Sequence, residues 1–214
     1  MDKSINEYLK RFIVDTETFK YPLRNYLTFL KISNDETKIN DEAMGAFIPN
    51  KIIPNSVVSL IINQNLIISK GDLPDSIKSI KFDQRFKEYI DNDMLPKKLI
   101  KIGLGHNTKI SNNLIIPKNL KFLTIQRKFQ LPLLDQVTSS IQFLCIEECN
   151  SNTRIPKTIK NLAFIREFHN KLPTIPKNIE FLYIGNKFNK EIDFLNLSHL
   201  KVLKIGRSKR FSKN

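Results

Sequence analysis

From Pro54 onward the chain repeats one spacing of apolar and polar positions. With Pro54 as column zero, apolar residues stand three, six and eight places on, at Val57, Leu60 and Ile62. The spacing returns as Pro74–Ile77–Ile80–Phe82, Pro96–Leu99–Ile102–Leu104 and Pro117–Leu120–Leu123–Ile125. It continues as Thr138–Ile141–Leu144–Ile146, Pro156–Ile159–Leu162–Phe164, Pro176–Ile179–Leu182–Ile184 and Leu197–Leu200–Leu203–Ile205. Successive units are offset by 18 to 22 residues. Columns +6 and +8 are two apart, so they share one face of a strand. A unit that short cannot bury such a face alone, and stacking on its neighbours makes a continuous core. The pattern predicts a repeat solenoid: a parallel β ladder of eight short strands, each within columns +3 to +8.

Two further columns follow the same frame. The residue before each proline is Ile or Leu, and column +12 carries Leu66, Phe86, Phe129, Phe168 and Phe188, while Thr108, Asn150 and Lys209 break it. A proline ahead of the strand suits a turn that needs no ladder hydrogen bond there. The returns between strands, such as "DNDMLPKK", are short and proline-rich, which predicts extended or polyproline-like segments instead of long helices. Upstream, Leu27, Leu30 and Ile32 keep the offsets and predict a degenerate first strand over 27–32, with a connector from Asn34 to Lys51. Before that, Ile5, Tyr8, Leu9, Phe12 and Ile13 recur at helical spacing, and Ser4 with Glu7 has the form of a capping box. This predicts a helix over 4–14 that caps the solenoid. The expected organisation is an N-terminal cap at 1–50, eight repeats at 51–211 and a tail at 212–214.

Residues 53 to 211 resemble FNIP repeats, units that open Leu/Ile-Pro-x-x-Leu/Ile and close Gly-x-x-Phe-Asn. "IPKNIEFLYIGNKFN" carries the whole pattern, with Gly185, Phe188 and Asn189 in place. "LPDSIKSIKFDQRFK" keeps the opening but has Asp83 and Lys87 where the glycine and asparagine fall. The resemblance implies a leucine-rich-repeat-like fold and a non-enzymatic interaction scaffold, of a type found chiefly in social amoebae and giant amoebal viruses. Some viral members also carry an F-box that recruits a ubiquitin-ligase scaffold. Residues 1–50 have room for one, and "YPLRNYLTFLKI" is a weak echo of it.

Composition narrows the chemistry. The formal charge is +14, from 35 Lys and Arg against 21 Asp and Glu. Such a chain attracts nucleic acid, anionic lipid or acidic proteins. The lysines are dispersed along the sequence, however, which reads as a solvated surface. No window has the roughly 18 uninterrupted apolar residues of a membrane helix, so no membrane association is expected. The N-terminus shows no secretory signal. Cys145 and Cys149 are the two cysteines; their spacing lacks the second pair of a structural zinc site and fits a reducing, cytoplasmic or nuclear compartment. His106, His169 and His199 fall at columns +10, +13 and +2 and do not share a face. Glu147 and Glu148 are adjacent and point to opposite sides of a strand. Phosphate-binding glycine motifs are absent, since "GLGHN" is too short for one. Neither catalysis, nor a metal, nor a cofactor is expected.

The face opposite the core is more informative. Columns +5, +7 and +9 should point outward. In the later units these bring Phe122, Phe143, Phe181 and Tyr183 into an aromatic strip with Cys145, Ala163 and Ile165. An exposed apolar patch of this kind marks a contact surface, and aromatics are common interface anchors. The expected partner is another protein, bound through Phe122, Phe143, Ile165, Phe181 and Tyr183, with Arg127, Arg166 and Arg207 beside them. Self-association through the strip, or aromatics folded back over the ladder, are the alternatives. Column +10 adds Arg127, Arg166 and Arg207, interrupted by Glu148. Arginines beside aromatics can stack on bases and contact phosphates, which makes RNA binding the second reading. The acids Glu147, Glu148 and Glu180 among the same repeats weigh against it.

Overall fold

A computed structural model of the chain describes residues 11–14, 27–33, 46–48, 52–112, 114–138, 140–167, 171–192 and 197–206. The chain divides into two compact units, residues 1–119 and 120–214. The first unit contains β1 (Arg11–Val14), β2 (Phe29–Ser33), β3 (Ala46–Phe47), β4 (Ser59–Asn63) and β5 (Leu66–Ile67). It continues with β6 (Ser79–Phe82), β7 (Tyr89–Ile90), β8 (Lys101–Gly103) and β9 (Lys109–Ile110). Its main ladder runs β1-β2-β4-β6-β8, every pair parallel. A second row on the return side pairs β3 with β5 and β7 with β9, again parallel. The second unit holds β10 (Phe122–Ile125), β11 (Phe143–Ile146), β12 (Asn161–Glu167), β13 (Phe181–Asn186) and β14 (Val202–Ile205). These form a parallel ladder in sequence order.

Each of the eight repeats thus contributes a strand that begins at column +5. Pairing keeps the columns aligned: Leu123, Leu144, Leu162, Leu182 and Leu203 lie opposite one another in turn. Stacking on this register buries the columns that the periodicity marks as core. In the first seven units the residues at +3, +6 and +8 are all buried, from Val57, Leu60 and Ile62 to Ile179, Leu182 and Ile184. In the last unit Leu200, Leu203 and Ile205 are half-buried, as expected where, among the described residues, one neighbour replaces two.

The prolines stand in turns ahead of the strands, as expected, and add a hydrogen-bond acceptor there. In the units starting at Pro54, Pro74, Pro96, Pro156 and Pro176, the column-zero carbonyl accepts a hydrogen bond from the amide at +3, at 3.0–3.2 Å. Thr138 and Leu197 accept the same bond from Ile141 and Leu200. The proline is therefore the first residue of a tight turn and contributes its carbonyl as well as lacking an N–H. The side chain before it closes the turn over the core, as at Ile53, Leu73, Ile116 and Ile155.

Of the other expectations, the upstream strand holds and the rest change in part. Arg11–Val14 is a strand, so the helix expected over 4–14 does not include its last turn; residues 4–10 lie outside the described residues. The β-branched pair in "RFIV" favours the pleated ladder, where branched side chains pack well. The upstream apolar offsets do form a strand, β2, with Leu30 and Ile32 buried. The returns are not uniformly extended: besides the short second row, a 3-10 helix spans Lys128–Gln136. Pro132 inside it is tolerated because the i→i+3 pattern runs in short, loosely bonded turns. This helix also moves column +12. Phe129 stands 55% exposed while Gln130 is fully buried. The Gln130 Oε1 accepts hydrogen bonds from the Gln126 and Arg127 amides at 3.0 and 3.2 Å, and the helix entry holds that position with a polar side chain. Leu66, Phe86 and Phe188 occupy the column as expected, and Thr108 is buried there too, accepting from the Gly105 amide at 3.0 Å.

Candidate functional site: the outer face of the second ladder

Opposite the core, the second unit presents Phe122, Phe143, Asn161, Phe181 and Val202 in register at column +5. Phe122 is 39% exposed and Phe143 and Phe181 are half-buried. The Phe122 and Phe143 rings stack with centroids 6.3 Å apart. Phe143 and Phe181 belong to strands separated by β12, yet their centroids are 5.5 Å apart. They meet across Asn161, whose Nδ2 donates to the Gln142 carbonyl at 2.7 Å. The Lys204 Nζ then lies 5.9 Å from the Phe181 ring, within the range of a cation–π contact. The result is a row of rings running from β10 to β13 and ending on a lysine.

Column +7 lies beside the row as Thr124, Cys145, Ala163, Tyr183 and Lys204. Ala163 is buried, so it forms the floor of the face and not part of its exposed strip. Tyr183 and Cys145 on either side are half-buried. Ile165 follows at column +9 of β12, also half-buried. In the first unit the same columns hold Phe29, Ser59, Ser79 and Lys101, then Lys31, Ile61, Lys81 and Gly103. A contiguous row of three rings is found in the second unit.

The two described arginines of column +10, Arg127 and Arg166, are each matched by an acid. Arg127 Nη1 lies 2.5 Å from Glu148 Oε1, and Arg166 Nε lies 3.1 Å from Glu147 Oε2. Gln126 Nε2 donates to the same Glu147 oxygen at 2.8 Å. Arg207 lies outside the described residues. Carboxylates at hydrogen-bonding distance offset the charge a phosphate would require, so the face is closer to neutral than column +10 alone implies. Arg166 has a left-handed backbone (φ 61°) at a register shift between Phe164 and Glu167. Sequence columns contained this pairing. Arg127 and Glu148 share column +10 in adjacent units, and residues in one column of adjacent units are neighbours in a solenoid.

Other candidate groups take structural places. His199 Nδ1 is 3.1 Å from the Lys177 carbonyl oxygen, and His169 lies outside the described residues. Among the described residues no cluster of three or more His, Cys, Asp or Glu is suited to a metal, and no helix is long and apolar enough to cross a membrane. Cys145 is half-buried and Cys149 buried, and neither is in a disulfide. Burial pushes the Cys149 thiol up to about 12, with Lys128 pulling weakly the other way. A buried thiol so far from ionisation is a poor nucleophile. Native protein at neutral pH is therefore expected to lose only Cys145 to a thiol-specific reagent, with Cys149 reacting after denaturation. Mass spectrometry of the labelled peptide checks this; rapid native labelling of Cys149 would show that the second ladder opens there.

The ladder geometry defines a parallel β solenoid of the leucine-rich-repeat type. The FNIP repeat family model matches residues 63–107, the unit that starts at Pro74 together with parts of the units on either side of it. Among solved structures the chain resembles CroV588, described as a novel circular LRR protein, with a TM-score of 0.59 and 24% sequence identity. The match covers 86% of this chain and 31% of that one, so the chain spans about a third of the length of that structure. A comparison with curated proteins finds no match.

Proposed function

We infer that the chain is a non-enzymatic repeat scaffold that binds another protein through the aromatic face of its second unit, in the cytoplasm. The observation that carries this reading is the contiguous ring row Phe122–Phe143–Phe181, closed over Asn161 instead of over the core. Rings of this size bring large apolar area at low rotamer cost, the property that makes aromatics interface anchors. Tyr183 adds a hydroxyl at the rim, Ile165 extends the apolar area, and the Arg127–Glu148 and Arg166–Glu147 pairs form a polar border. The FNIP match and the leucine-rich-repeat-like fold support a scaffold role. Because those arginines are paired with acids, base stacking with phosphate contact at this face is less favoured than a protein partner.

Phe143→Asp combined with Phe181→Asp tests the reading. Circular dichroism and the unfolding midpoint should stay close to wild type, while proteins captured from native or host cells through this face should be lost. Unfolding of the double variant would show that the rings are core. Retained capture would move the interface elsewhere. A monomer–oligomer equilibrium abolished by the same pair would identify the partner as a second copy. Recovery of ubiquitin-ligase scaffold proteins would point to residues 1–50 as the recruiting segment.

A further inference from the structure

We propose that the turn edge of the second unit is a docking ridge for a nucleic-acid duplex, held through its phosphates without reading base sequence. Dispersed lysines in a sequence suggest a solvated surface, but a solenoid reverses that inference. Residues one repeat apart along the chain become neighbours in space. Lys157 and Lys177 stand at column +1, on the tips of the Pro156 and Pro176 turns; Lys121, Lys160 and Lys201 stand at column +4, where the chain leaves the turn for the strand. All five are exposed.

The backbone beneath them is fixed. The amides of Gln142, Glu180 and Lys201 each donate at 2.8 Å to the column +4 carbonyl of the preceding unit, those of Lys121, Lys160 and Glu180. The turn tips are tied as well: Asn178 Nδ2 donates to the Ile159 carbonyl at 2.9 Å, and His199 Nδ1 lies 3.1 Å from that of Lys177. The ammonium groups therefore ride on an ordered base. Glu180 is the acid on these two columns, bridging Lys160 and Lys201 at 2.9 and 2.7 Å. Hydrogen bonds from Lys201 and then Lys160 hold its carboxyl down at about 2 from 4.5. Five lysines against one carboxylate leave four net positive charges. Gln142 and Ser198 fill other places in the same columns, and no aromatic stands among the described ones.

That composition selects the ligand. Single strands are held largely by bases stacked on aromatics, which this edge lacks. A duplex presents a charge about every 1.7 Å of axis, whereas ladder rows recur about every 4.8 Å. Each lysine can meet a phosphate without a matched pattern, whereas an acidic protein would need carboxylates at the ladder's own pitch. With a salt slope of about −0.9 per neutralised phosphate, four net contacts correspond to about a hundredfold loss of affinity between about 50 and about 200 mM salt.

Fluorescence anisotropy with a labelled DNA duplex of about 20 base pairs, at those two salt concentrations, tests the ridge. Lys157→Glu with Lys177→Glu should weaken binding at the lower salt by about tenfold or more and flatten the salt slope. The milder Lys157→Gln with Lys177→Gln should give a smaller loss in the same direction. Lys171→Glu with Lys190→Glu makes the same change in net charge on the return segments and should cost about twofold or less. Phe143→Ser with Phe181→Ser should leave duplex binding intact, which separates the ridge from the protein-binding face. Failure of wild type to bind duplex at the lower salt overturns the proposal. So does an equal loss in both Lys→Glu pairs, or a preference for anionic phospholipid vesicles over duplex.

Discussion

Leu144→Ala is expected to lower the unfolding free energy by about 2–5 kcal/mol. Leu144 is fully buried and lies in register between Leu123 and Leu162. The strands that carry these neighbours are held about 4.8 Å apart by the hydrogen-bonded ladder. Neither can slide inward to fill the hole, so both the transfer cost and the cavity cost persist. Leu203→Ala removes the same atoms from the same column at the end of the ladder. Leu203 is half-buried with a strand on one side, so the loss should be about 1 kcal/mol. Urea unfolding of both variants, extrapolated linearly, reads the difference. Equal losses would show that the last unit is covered as fully as an internal one.

That contrast reflects what the sequence could carry. One apolar residue at one offset is ambiguous, but a column filled in eight successive units is not. The core at +3, +6 and +8 was therefore legible before any coordinates, as was the outward-facing column that holds Phe122, Phe143 and Phe181. Contacts between columns were less legible. That Phe143 reaches Phe181 across β12 depends on Asn161 being small and turning its amide to the Gln142 carbonyl, which no periodicity encodes. Ala163 keeps the outward parity of column +7 but is too short to rise above Cys145 and Tyr183. Phe129 has the expected residue type at +12 and is displaced by a 3-10 helix entered through Gln130, a local hydrogen-bonding choice that an apolar count misses. The Arg127–Glu148 pair and the lysine ridge were legible in principle. Each requires reading down a column through space instead of along the chain.

A second large effect is expected where the chain uses glycine. Gly185→Ala should destabilise the protein by about 1–3 kcal/mol, although alanine is the smallest change available. A Cβ at Gly185 would overlap the Arg166 carbonyl oxygen and stand 3.1 Å from that of Phe164. Both belong to β12, at the register shift opposite β13, and a backbone carbonyl within a ladder cannot rotate away as a side chain can. Gly105, also at column +9, shows the same approach in the first unit, where an added Cβ would lie 2.6 Å from the Phe82 carbonyl oxygen. The glycine of the Gly-x-x-Phe-Asn ending is thus a point of close contact between successive coils. Column +9 accepts Asn63, Gln126 and Ile165 in other units, so the constraint applies where the preceding coil comes close. Gly103→Ala is the control. Its Cβ would meet the flexible Lys81 Cγ at 3.4 Å, an ordinary contact, and the change should fall within about 0.5 kcal/mol of wild type. Unfolding midpoints for the two variants should separate clearly. Equal values would mean that β13 can draw away from β12 at little cost, leaving the ring row that spans these strands without a rigid support.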